Sequence, residues 1–438
     1  KVGLFDHQVQ MVKCLQSLTD KELEADDIEY LLTDSESKAI FYSKTYFDII
    51  DELKEKELPG VEYFSLKKLP KMIEEGKKLL ADGYTEYLDS VPTDKDLASI
   101  VYTSGTTGKS KGVMLSHGNI MSDMYAAACN VTICGSSILL LPLHHAFGLT
   151  AGLFAVMSYG EMLYINKSLK KIVDDFKAAK PQNTFAVPLI AESLYKNIWL
   201  NARKQGKDEL LRKMIKISDF LRKFGIDLRK KFFASVIDAF GGNLNLMICG
   251  GAPIKTELIK EFDSLGIKIL NGYGITECSP IVAVNRNEFN ILGSVGLPLC
   301  CNQVKISDEG EVLVKGSNVM QGYYHNEAAN KEVFTEDGWF RTGDIGKLDE
   351  YGALHITGRI KNLIILANGE NIAAEAIENL VYDIPYVKEV ICYGEDDLIV
   401  AEMFLDEEVA DAKERINADI QELNNKLPQI KNIGKNKE

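Results

Sequence analysis

The segment that decides the fold is Thr103-Ser104-Gly105-Thr106-Thr107-Gly108-Lys109-Ser110-Lys111-Gly112, which lies between two short apolar runs at 98–102 and 113–115. The two runs predict β-strands joined by a loop. Backbone N–H groups, hydroxyls and ammonium groups in such a loop all favour anions. We therefore expect the phosphate loop, defined as residues 103–109, to wrap a polyphosphate through these candidates: Thr103, Ser104, Gly105, Thr106, Thr107, Gly108 and Lys109.

Two other interpretations of this loop are less consistent with its residues. A Walker P-loop requires a glycine five residues before Gly108, and that position is Thr103. An ordinary flexible surface loop would not need both lysines among so many hydroxyls. The loop therefore predicts phosphate binding of a kind other than the P-loop.

Composition limits the classes of partner. The 438 residues allow two or three domains, and a net charge of -14 argues against nucleic acid as the main partner, because phosphate neutralisation needs clustered Lys and Arg. Eight cysteines without a Cys-x-x-Cys pair and six histidines without metal-binding spacing predict a reduced, cytoplasmic setting. The longest apolar stretch, 146–157, is shorter than the roughly 18 residues of a membrane span. The chain begins at Lys1 without methionine, so its targeting is left open.

The order of predicted elements indicates an α/β fold. Apolar strand-like runs at 138–141, 183–187, 244–249 and 268–270 each lie near a helical pattern, which predicts a large, mostly parallel sheet with flanking helices. Short strands and turns then predict a β-rich subdomain over 292–358, and 361–438 a compact α+β unit. We place the boundary at 358–362, so that residues 1–360 form the amino-terminal domain.

The segment Asn271-Gly272-Tyr273-Gly274-Ile275-Thr276-Glu277 follows a predicted strand, where open α/β sheets bind ligands. Its glycines let a nucleotide approach the backbone, Tyr273 offers a stacking face, Thr276 a hydroxyl for phosphate and Glu277 a carboxylate for Mg²⁺. Taken alone, it also fits a helix N-terminus capped by Thr276. Combined with the phosphate loop, it predicts a nucleotide site.

Together these segments resemble the adenylate-forming enzymes, the superfamily of acyl-CoA synthetases, luciferases and peptide-synthetase adenylation domains. The resemblance implies a large amino-terminal adenylation domain and a small mobile carboxyl-terminal lid. It also implies that the turn Gly250-Gly251-Ala252-Pro253 cradles adenine, although these residues taken alone favour a simple strand-to-helix turn with Pro253 near N1.

The same resemblance assigns further residues. Asp344, at the end of 338–344, would accept hydrogen bonds from both ribose hydroxyls, and a simple Gly-Asp turn is the alternative. Arg359 would be its partner on the ribose side, and a salt bridge in a domain linker is the alternative. His145 would lie near the reacting carboxylate and phosphate, unless it is structural, and Phe147 would gate the acyl pocket.

The chemistry implied is activation of a fatty acid by ATP·Mg²⁺ to acyl-AMP and pyrophosphate, followed by attack of the coenzyme A thiolate. The implied catalytic residues are Lys109, His145, Thr276 and Glu277, with Glu277 also the metal ligand. The family's adenylation lysine is not assigned here, because Gly434-Lys435 lacks the hydroxyl-rich approach of that element. Alternatives are a fatty acyl-AMP ligase that loads a carrier protein, and a catalytically silent acyl- or nucleotide-binding protein.

A helical excursion between about 186 and 242 resembles long-chain acyl-CoA synthetases. Within it, residues 203–231 hold eleven Lys or Arg and four acids, a local charge of +7. One interpretation is a solvated basic helix whose apolar face packs on its own core. The other is peripheral contact with anionic lipid. The apolar residues predicted to share one face are Leu210, Met214, Ile217, Leu221 and Phe224.

Overall fold

The computed structural model describes residues 23–56, 58–103, 110–166, 168–365, 371–395, 398–406, 409, 411–427 and 432–437. The chain divides into two compact units. The first comprises Lys1–Gln303 and Lys315–Gly338, and the second comprises Val304–Val314 and Trp339–Glu438. The adenylation and lid domains expected on either side of 358–362 stay a prediction.

The helices and strands alternate as an α/β fold requires. The strands are β1 (Ala39–Tyr42), β2 (Glu62–Ser65), β3 (Leu97–Thr103), β4 (Lys111–Ser116), β5 (Ser136–Leu139), β6 (Met162–Ile165), β7 (Asn183–Ala186), β8 (Leu246–Cys249), β9 (Lys268–Gly274), β10 (Ile281–Val284), β11 (Leu297–Pro298), β12 (Asn302–Ile306), β13 (Glu311–Gly316), β14 (Gly322–Tyr323), β15 (Phe340–Leu348), β16 (Leu354–Arg359), β17 (Leu363–Ile365), β18 (Asn371–Ala373), β19 (Val387–Glu395), β20 (Leu398–Leu405) and β21 (Ile433–Lys437).

The α-helices are α1 (Ala25–Asp34), α2 (Phe47–Glu55), α3 (Leu69–Ala81), α4 (Glu86–Asp89), α5 (His117–Asn130), α6 (Val156–Ser158), α7 (Ile172–Ala179), α8 (Pro188–Lys204), α9 (Asp208–Arg222), α10 (Arg229–Phe232), α11 (Ala234–Ala239), α12 (Thr256–Ser264), α13 (Glu327–Val333), α14 (Ala374–Val381) and α15 (Ala412–Asn424). A π-helix, Gly148–Ala155, runs directly into α6. Among the described residues, no helix is both long and apolar enough to cross a bilayer.

The first unit is built on a seven-stranded sheet in the order β11-β10-β9-β8-β7-β5-β6. The five strands from β9 to β6 run parallel, while β10 and β11 are antiparallel additions. Alternate residues of one strand enter opposite cores: Met247 and Cys249 of β8 join one cluster, and Leu246 and Ile248 the other. Burial on both faces explains the uninterrupted apolar runs of these strands. The predicted mostly parallel sheet with flanking helices is confirmed.

The two strands predicted on either side of the phosphate loop are also present. Strands β3 and β4 pair antiparallel, so that Thr103 lies opposite Lys111 and 104–109 connect them. Strand β14 adds to the other edge of β4, with Tyr323 opposite Val113. This three-stranded sheet therefore joins the base of the loop to a segment more than two hundred residues later.

The helical excursion lies between β7 and β8 and contains α8 to α11. Its inner side packs on the core of the large sheet through residues such as Leu194, Ile198, Leu211 and Phe233. The prediction that one apolar face of this helix packs on the core is only partly correct. In α9 the buried residues are Leu211 and Ser218, whereas three of the five predicted residues are exposed and two are half-buried.

The second unit contains a four-stranded sheet, β12-β13-β15-β16, and a three-stranded sheet, β19-β20-β21. Helices α14 and α15 pack on the latter in a separate apolar core that includes Ile377, Val390, Met403 and Ile416. The predicted change to short strands after residue 292 and the α+β pattern near the carboxyl terminus are both present as secondary structure.

Candidate functional site

The carboxyl ends of the parallel strands bring three sequence segments together. Strand β8 ends at Cys249 and leads into Gly250, while the neighbouring β9 carries Gly272. A methyl group built on Gly250 would lie 3.3 Å from the carbonyl oxygen of Gly272 and 3.7 Å from the ring of Phe147. Glycine therefore permits the close approach of the predicted adenine turn, the Asn271–Glu277 segment and the His145 segment.

Within the adenine turn, Gly251 has a φ of +86°, a conformation that an L side chain rarely adopts. Ala252 and Pro253 follow before helix α12 begins at Thr256. The four residues thus stand at the sheet edge where the nucleotide interpretation requires them, although Pro253 is outside the first helical turn that the alternative assumed.

The Asn271–Glu277 segment forms a tight reversal rather than the start of an α-helix. Residues Thr276–Cys278 make one 3₁₀ turn, and Ile275 N–H donates to the carbonyl of Pro280 at 2.8 Å. A side chain at Gly274 would overlap the backbone of Pro280. Because Thr276 lies inside this 3₁₀ turn and Ile275 is its cap residue, the alternative of an α-helix capped by Thr276 is not observed.

Asn271 and Tyr273 are placed differently on β9. The Asn271 amide is buried and donates to the carbonyl of Ser294 at 3.1 Å, so this side chain supports the sheet edge. Tyr273 is half-buried, and its backbone pairs with Ala283 of β10. Tyr273 is thus still suited to stack on a base, whereas the Asn271 side chain is engaged in structure.

Glu277 is half-buried, and both its side chain and its backbone carbonyl accept hydrogen bonds from residues 320–323. The Tyr323 hydroxyl donates to Oε1 at 2.8 Å, and the Met320 N–H donates to the Glu277 carbonyl at 2.7 Å. Burial, together with the neighbouring Glu277 carboxylate, raises the pKa of Tyr323 far above its usual value, so the phenol stays protonated as a donor. Within the described chain, Oε2 has no hydrogen-bond partner.

His144 and His145 lie on the loop that leads into the π-helix, with ring centroids 4.2 Å apart. Burial lowers the pKa of the partly exposed His145 ring, which favours the neutral form at neutral pH. A neutral imidazole can accept or donate a proton near a reacting carboxylate. The catalytic role of His145 stays a prediction.

In the second unit, Asp344 and Arg359 meet across β15 and β16, where they are directly opposite each other. The Arg359 Nε lies 3.1 Å from Asp344 Oδ1, and the aspartate side chain is 5% exposed against 65% for the arginine. Gly343, with a φ of +73°, donates its N–H to Oε1 of the buried Glu311 at 3.0 Å. The predicted pair therefore exists, and its role toward ribose stays a prediction.

Six of the predicted phosphate ligands, Ser104, Gly105, Thr106, Thr107, Gly108 and Lys109, lie outside the described residues. Thr103, the last residue of β3, is described and half-buried.

The family model for the AMP-binding enzyme matches residues 9–324. The chain belongs to the AMP-binding enzyme family. The predicted resemblance to adenylate-forming enzymes is thereby confirmed.

Two curated relatives of this AMP-binding enzyme are the long-chain-fatty-acid–CoA ligase FadD15 of Mycobacterium bovis and the long-chain-fatty-acid–CoA ligase 5 of Mus musculus. The former is 33% identical over 68% of this chain and 52% of its own length, and the latter 35% identical over 69% and 48%. The chain thus spans about half the length of these relatives. A solved structure, ATP-bound MatB from Rhodopseudomonas palustris, superposes with a TM-score of 0.72 and 26% identity over 95% of this chain and 78% of its own.

A magnesium ion fits the residues of this AMP-binding enzyme as a companion of the nucleotide. The described residues contain no group of three or more His, Cys, Asp or Glu side chains that could hold a metal ion by themselves, without ligands from a substrate. Mg²⁺ in nucleotide sites usually takes one or two carboxylates together with substrate phosphates. Glu277, with Oε1 fixed by Tyr323 and Oε2 without a hydrogen-bond partner among the described residues, is consistent with that arrangement.

Two further residues belong to this site: Tyr323, which bonds Glu277, and Lys111, which contacts Tyr323. Lys111 Nζ lies 5.1 Å from the ring centroid of Tyr323, whose hydroxyl reaches Glu277. Lys111 belongs to the polar segment 103–112, so its charge is evident from the sequence, whereas its contact with Tyr323 is not. Tyr323 lies 46 residues after Glu277 and carried no chemical pattern that could have revealed it.

Proposed function

We propose that this AMP-binding enzyme is an ATP-dependent long-chain fatty acid:CoA ligase. The fatty acid carboxylate attacks the α-phosphate of ATP, which gives acyl-AMP and releases pyrophosphate. The coenzyme A thiol then attacks the acyl carbonyl, which gives acyl-CoA and AMP. The names of the curated relatives support this substrate class. The observation that carries the proposal is the meeting of Gly250, Gly272 and Phe147 at the carboxyl edge of the sheet, with Glu277 in the turn that follows β9.

The residues of the first unit have distinct tasks in this proposal. The glycine turn at 250–251 leaves room for a flat base against the backbone. His145, favoured as a neutral ring, is suited to hydrogen-bond the reacting carboxylate without adding charge. Glu277 would hold Mg²⁺, which supplies charge neutralisation on the phosphates when bound. Lys109 and Lys111 would neutralise the remaining negative charge of the phosphates, and the loop hydroxyls would donate hydrogen bonds to the phosphate oxygens.

The proposal includes contact with an anionic membrane, where long-chain fatty acids collect. The outer face of α9 and the turn after it present an apolar stripe, defined here as Leu210, Ile217, Phe220 and Phe224. These four side chains are 54%, 52%, 58% and 67% exposed, and the two phenyl rings pack at 5.2 Å. Their spacing places them on one side of the helix, opposite the buried Leu211 and Ser218.

Charge complementarity selects the partner of this stripe. Lys213, Lys216 and Lys223 are exposed beside it, in a protein whose net charge is -14. Clustered basic residues contribute roughly 1 kcal/mol each at an anionic lipid surface. Apolar side chains flanked by lysines are typical of helices that lie in the membrane interface.

Vesicle flotation tests the membrane contact. The wild-type protein should float with phosphatidylglycerol-containing vesicles and not with pure phosphatidylcholine. The pairs Phe220→Ser/Phe224→Ser and Lys213→Glu/Lys216→Glu should each weaken binding at least about tenfold. A control pair, Ile391→Ser/Phe404→Ser, removes equally exposed apolar residues from the second unit. Equal flotation of all variants would contradict this part of the proposal.

The activity is tested by pyrophosphate release with ATP, Mg²⁺ and a panel of fatty acids, with and without coenzyme A. Release that grows with coenzyme A and peaks at long chains is expected. Release that ignores coenzyme A would instead identify a fatty acyl-AMP ligase for a carrier protein, and no release would identify a silent binding protein. Glu277→Gln should lower the rate of Mg²⁺-dependent turnover by about 10²-fold or more while leaving the fold intact.

A further inference from the structure

We propose that Tyr323 is a positioning residue, which fixes the carboxylate of Glu277 so that Oε2 faces the nucleotide-bound metal. The inference rests on the proposed function and deepens it, because it names how the chain orients its one candidate metal ligand. The juxtaposition that carries it is a buried phenol bonded to Glu277 on a strand that also pairs with the base of the phosphate loop.

The contact between the two side chains is specific. Tyr323 is 6% exposed, and its hydroxyl donates to Glu277 Oε1 at 2.8 Å. A carboxylate offers about four lone-pair directions on two oxygens and can rotate among them. A donor on Oε1 removes that freedom. The bond from Met320 N–H to the Glu277 carbonyl fixes the backbone at the same time.

The segment that carries Tyr323 is itself rigidly held. The Asn330 amide bonds both backbone groups of Tyr323, accepting from its N–H at 2.7 Å and donating to its carbonyl at 3.1 Å. Asn119 of α5 donates to the carbonyls of Ser317 and Val319, both at 2.8 Å. Because the donor stands on a fixed frame, its bond can impose an orientation rather than follow the carboxylate.

The same segment connects Glu277 to the phosphate loop. Strand β14 pairs with β4, so Tyr323 lies opposite Val113. Lys111, two residues earlier on β4, places its ammonium group 5.1 Å from the Tyr323 ring centroid. The Tyr323 ring thus contacts the cation of Lys111 at the base of the loop, and the Tyr323 hydroxyl bonds the Glu277 carboxylate that would hold the metal. Groups that orient a metal ligand typically account for 10- to 100-fold in metal affinity.

The experiment removes one oxygen atom with Tyr323→Phe in the full chain. Calorimetry measures binding of the α,β-methylene analogue of ATP with and without Mg²⁺, in the absence of fatty acid. The wild-type protein should bind the analogue more tightly with Mg²⁺. Tyr323→Phe should reduce this metal-dependent gain by about tenfold or more and leave metal-free affinity unchanged.

Two further variants make the result decisive. Tyr386→Phe is the matched control, since it removes another buried phenol bonded to a carboxylate, Asp419, in the second unit. It should keep the full gain. Glu277→Gln should lose the gain, and Tyr323→Phe added to it should cause no further loss, because Tyr323 acts only through Glu277.

Each other outcome overturns the inference. If Tyr323→Phe keeps the wild-type gain while Glu277→Gln loses it, the metal assignment stands and the positioning role is wrong. If the two losses add in the double variant, Tyr323 acts independently of Glu277. If Glu277→Gln keeps the gain, both the metal ligand and its positioning are wrong, whereas pyrophosphate release from the fatty-acid panel decides the proposed activity separately.

Discussion

Asp123 on α5 is fully buried and holds the turn that follows Glu277. Its Oδ1 accepts from Ile281 N–H and from the Asn318 amide, both at 3.1 Å, while Oδ2 has no hydrogen-bond partner in the part of the chain that the structure describes. The Asn318 amide also donates to the carbonyls of Cys278 and Ile281. Burial is the main cause that raises the pKa of Asp123 well above its usual 3.8, against the two hydrogen bonds.

A raised pKa has a defined effect on stability. The folded state binds the Asp123 proton more tightly than the unfolded state, so its stabilising effect is fully present below about pH 4 and is lost as the pH rises toward the folded pKa. Asp123→Asn keeps the shape without the ionisation. Its free energy of unfolding relative to wild type should therefore increase with pH, by up to about 1.4 kcal/mol per pH unit. Urea unfolding between pH 5 and 8 measures this. A constant difference would show that Asp123 ionises normally.

The pair of Asp344 and Arg359 supports a second prediction at a single residue. Asp344→Asn keeps the size of the side chain but replaces one acceptor oxygen with a donor, which would oppose a ribose hydroxyl. We expect a 10- to 100-fold rise in KM for ATP with a smaller change in kcat. As a control, Asp349→Asn breaks the Asp349–His355 contact of 3.0 Å at the far end of the same hairpin. Equal effects of the two changes would contradict a ribose contact.

Among the elements, the π-helix Gly148–Ala155 determines how the His145 loop meets the sheet. A π-helix is wider than an α-helix and occurs often at functional sites. Here it packs against the core that includes Leu139, Leu141 and Phe185. Gly148 allows this packing, since a methyl group there would overlap the Pro142 carbonyl and lie 3.3 Å from Leu141 Cβ.

Gly148→Ala should therefore displace the loop that carries His145 and Phe147. We expect a loss of about 1–3 kcal/mol in the free energy of unfolding, as in other overpacked cores, and a larger loss in kcat than in nucleotide affinity. Gly160→Ala serves as a comparison, since its position has a positive φ but open space around it. Unchanged kcat in Gly148→Ala would show that the loop tolerates the shift.

For the whole molecule, the two units have separate apolar cores. The core of the second unit is built from residues of 364–433, and the cores of the large sheet from residues of 126–299. Each unit therefore carries its own source of hydrophobic stabilisation. Cooperativity within each unit should exceed cooperativity between them.

Calorimetry on two core variants checks this. Ile416→Ala in the second unit and Ile269→Ala in the first each empty a fully buried position, at a cost of about 2–5 kcal/mol. Each variant should lower the temperature of one transition and leave the other nearly unchanged. A single transition that moves in both variants would show that the units unfold together.

Much of the fold could be predicted from local patterns. The uninterrupted apolar runs of β5, β7, β8 and β9 indicate strands buried on both faces, and the apolar runs on either side of 103–112 indicate the strands β3 and β4. Gly250, Gly272 and Glu277 could be chosen as site residues because each follows an apolar run that predicts a strand, and parallel sheets bind ligands at the carboxyl ends of their strands. These features depend on neighbours in the chain.

Other features depend on groups that the chain order does not connect. Only the packed structure pairs Tyr323 with Glu277 across 46 residues and Asp123 with Ile281 across 158. The apolar residues of α9 show two possible faces, and burial of Leu211 and Ser218 decided which one remained exposed. Helical and strand periodicity arise from backbone geometry, which is local, whereas partners of a buried polar group and the exposed side of a helix follow from how distant segments close-pack around a shared core.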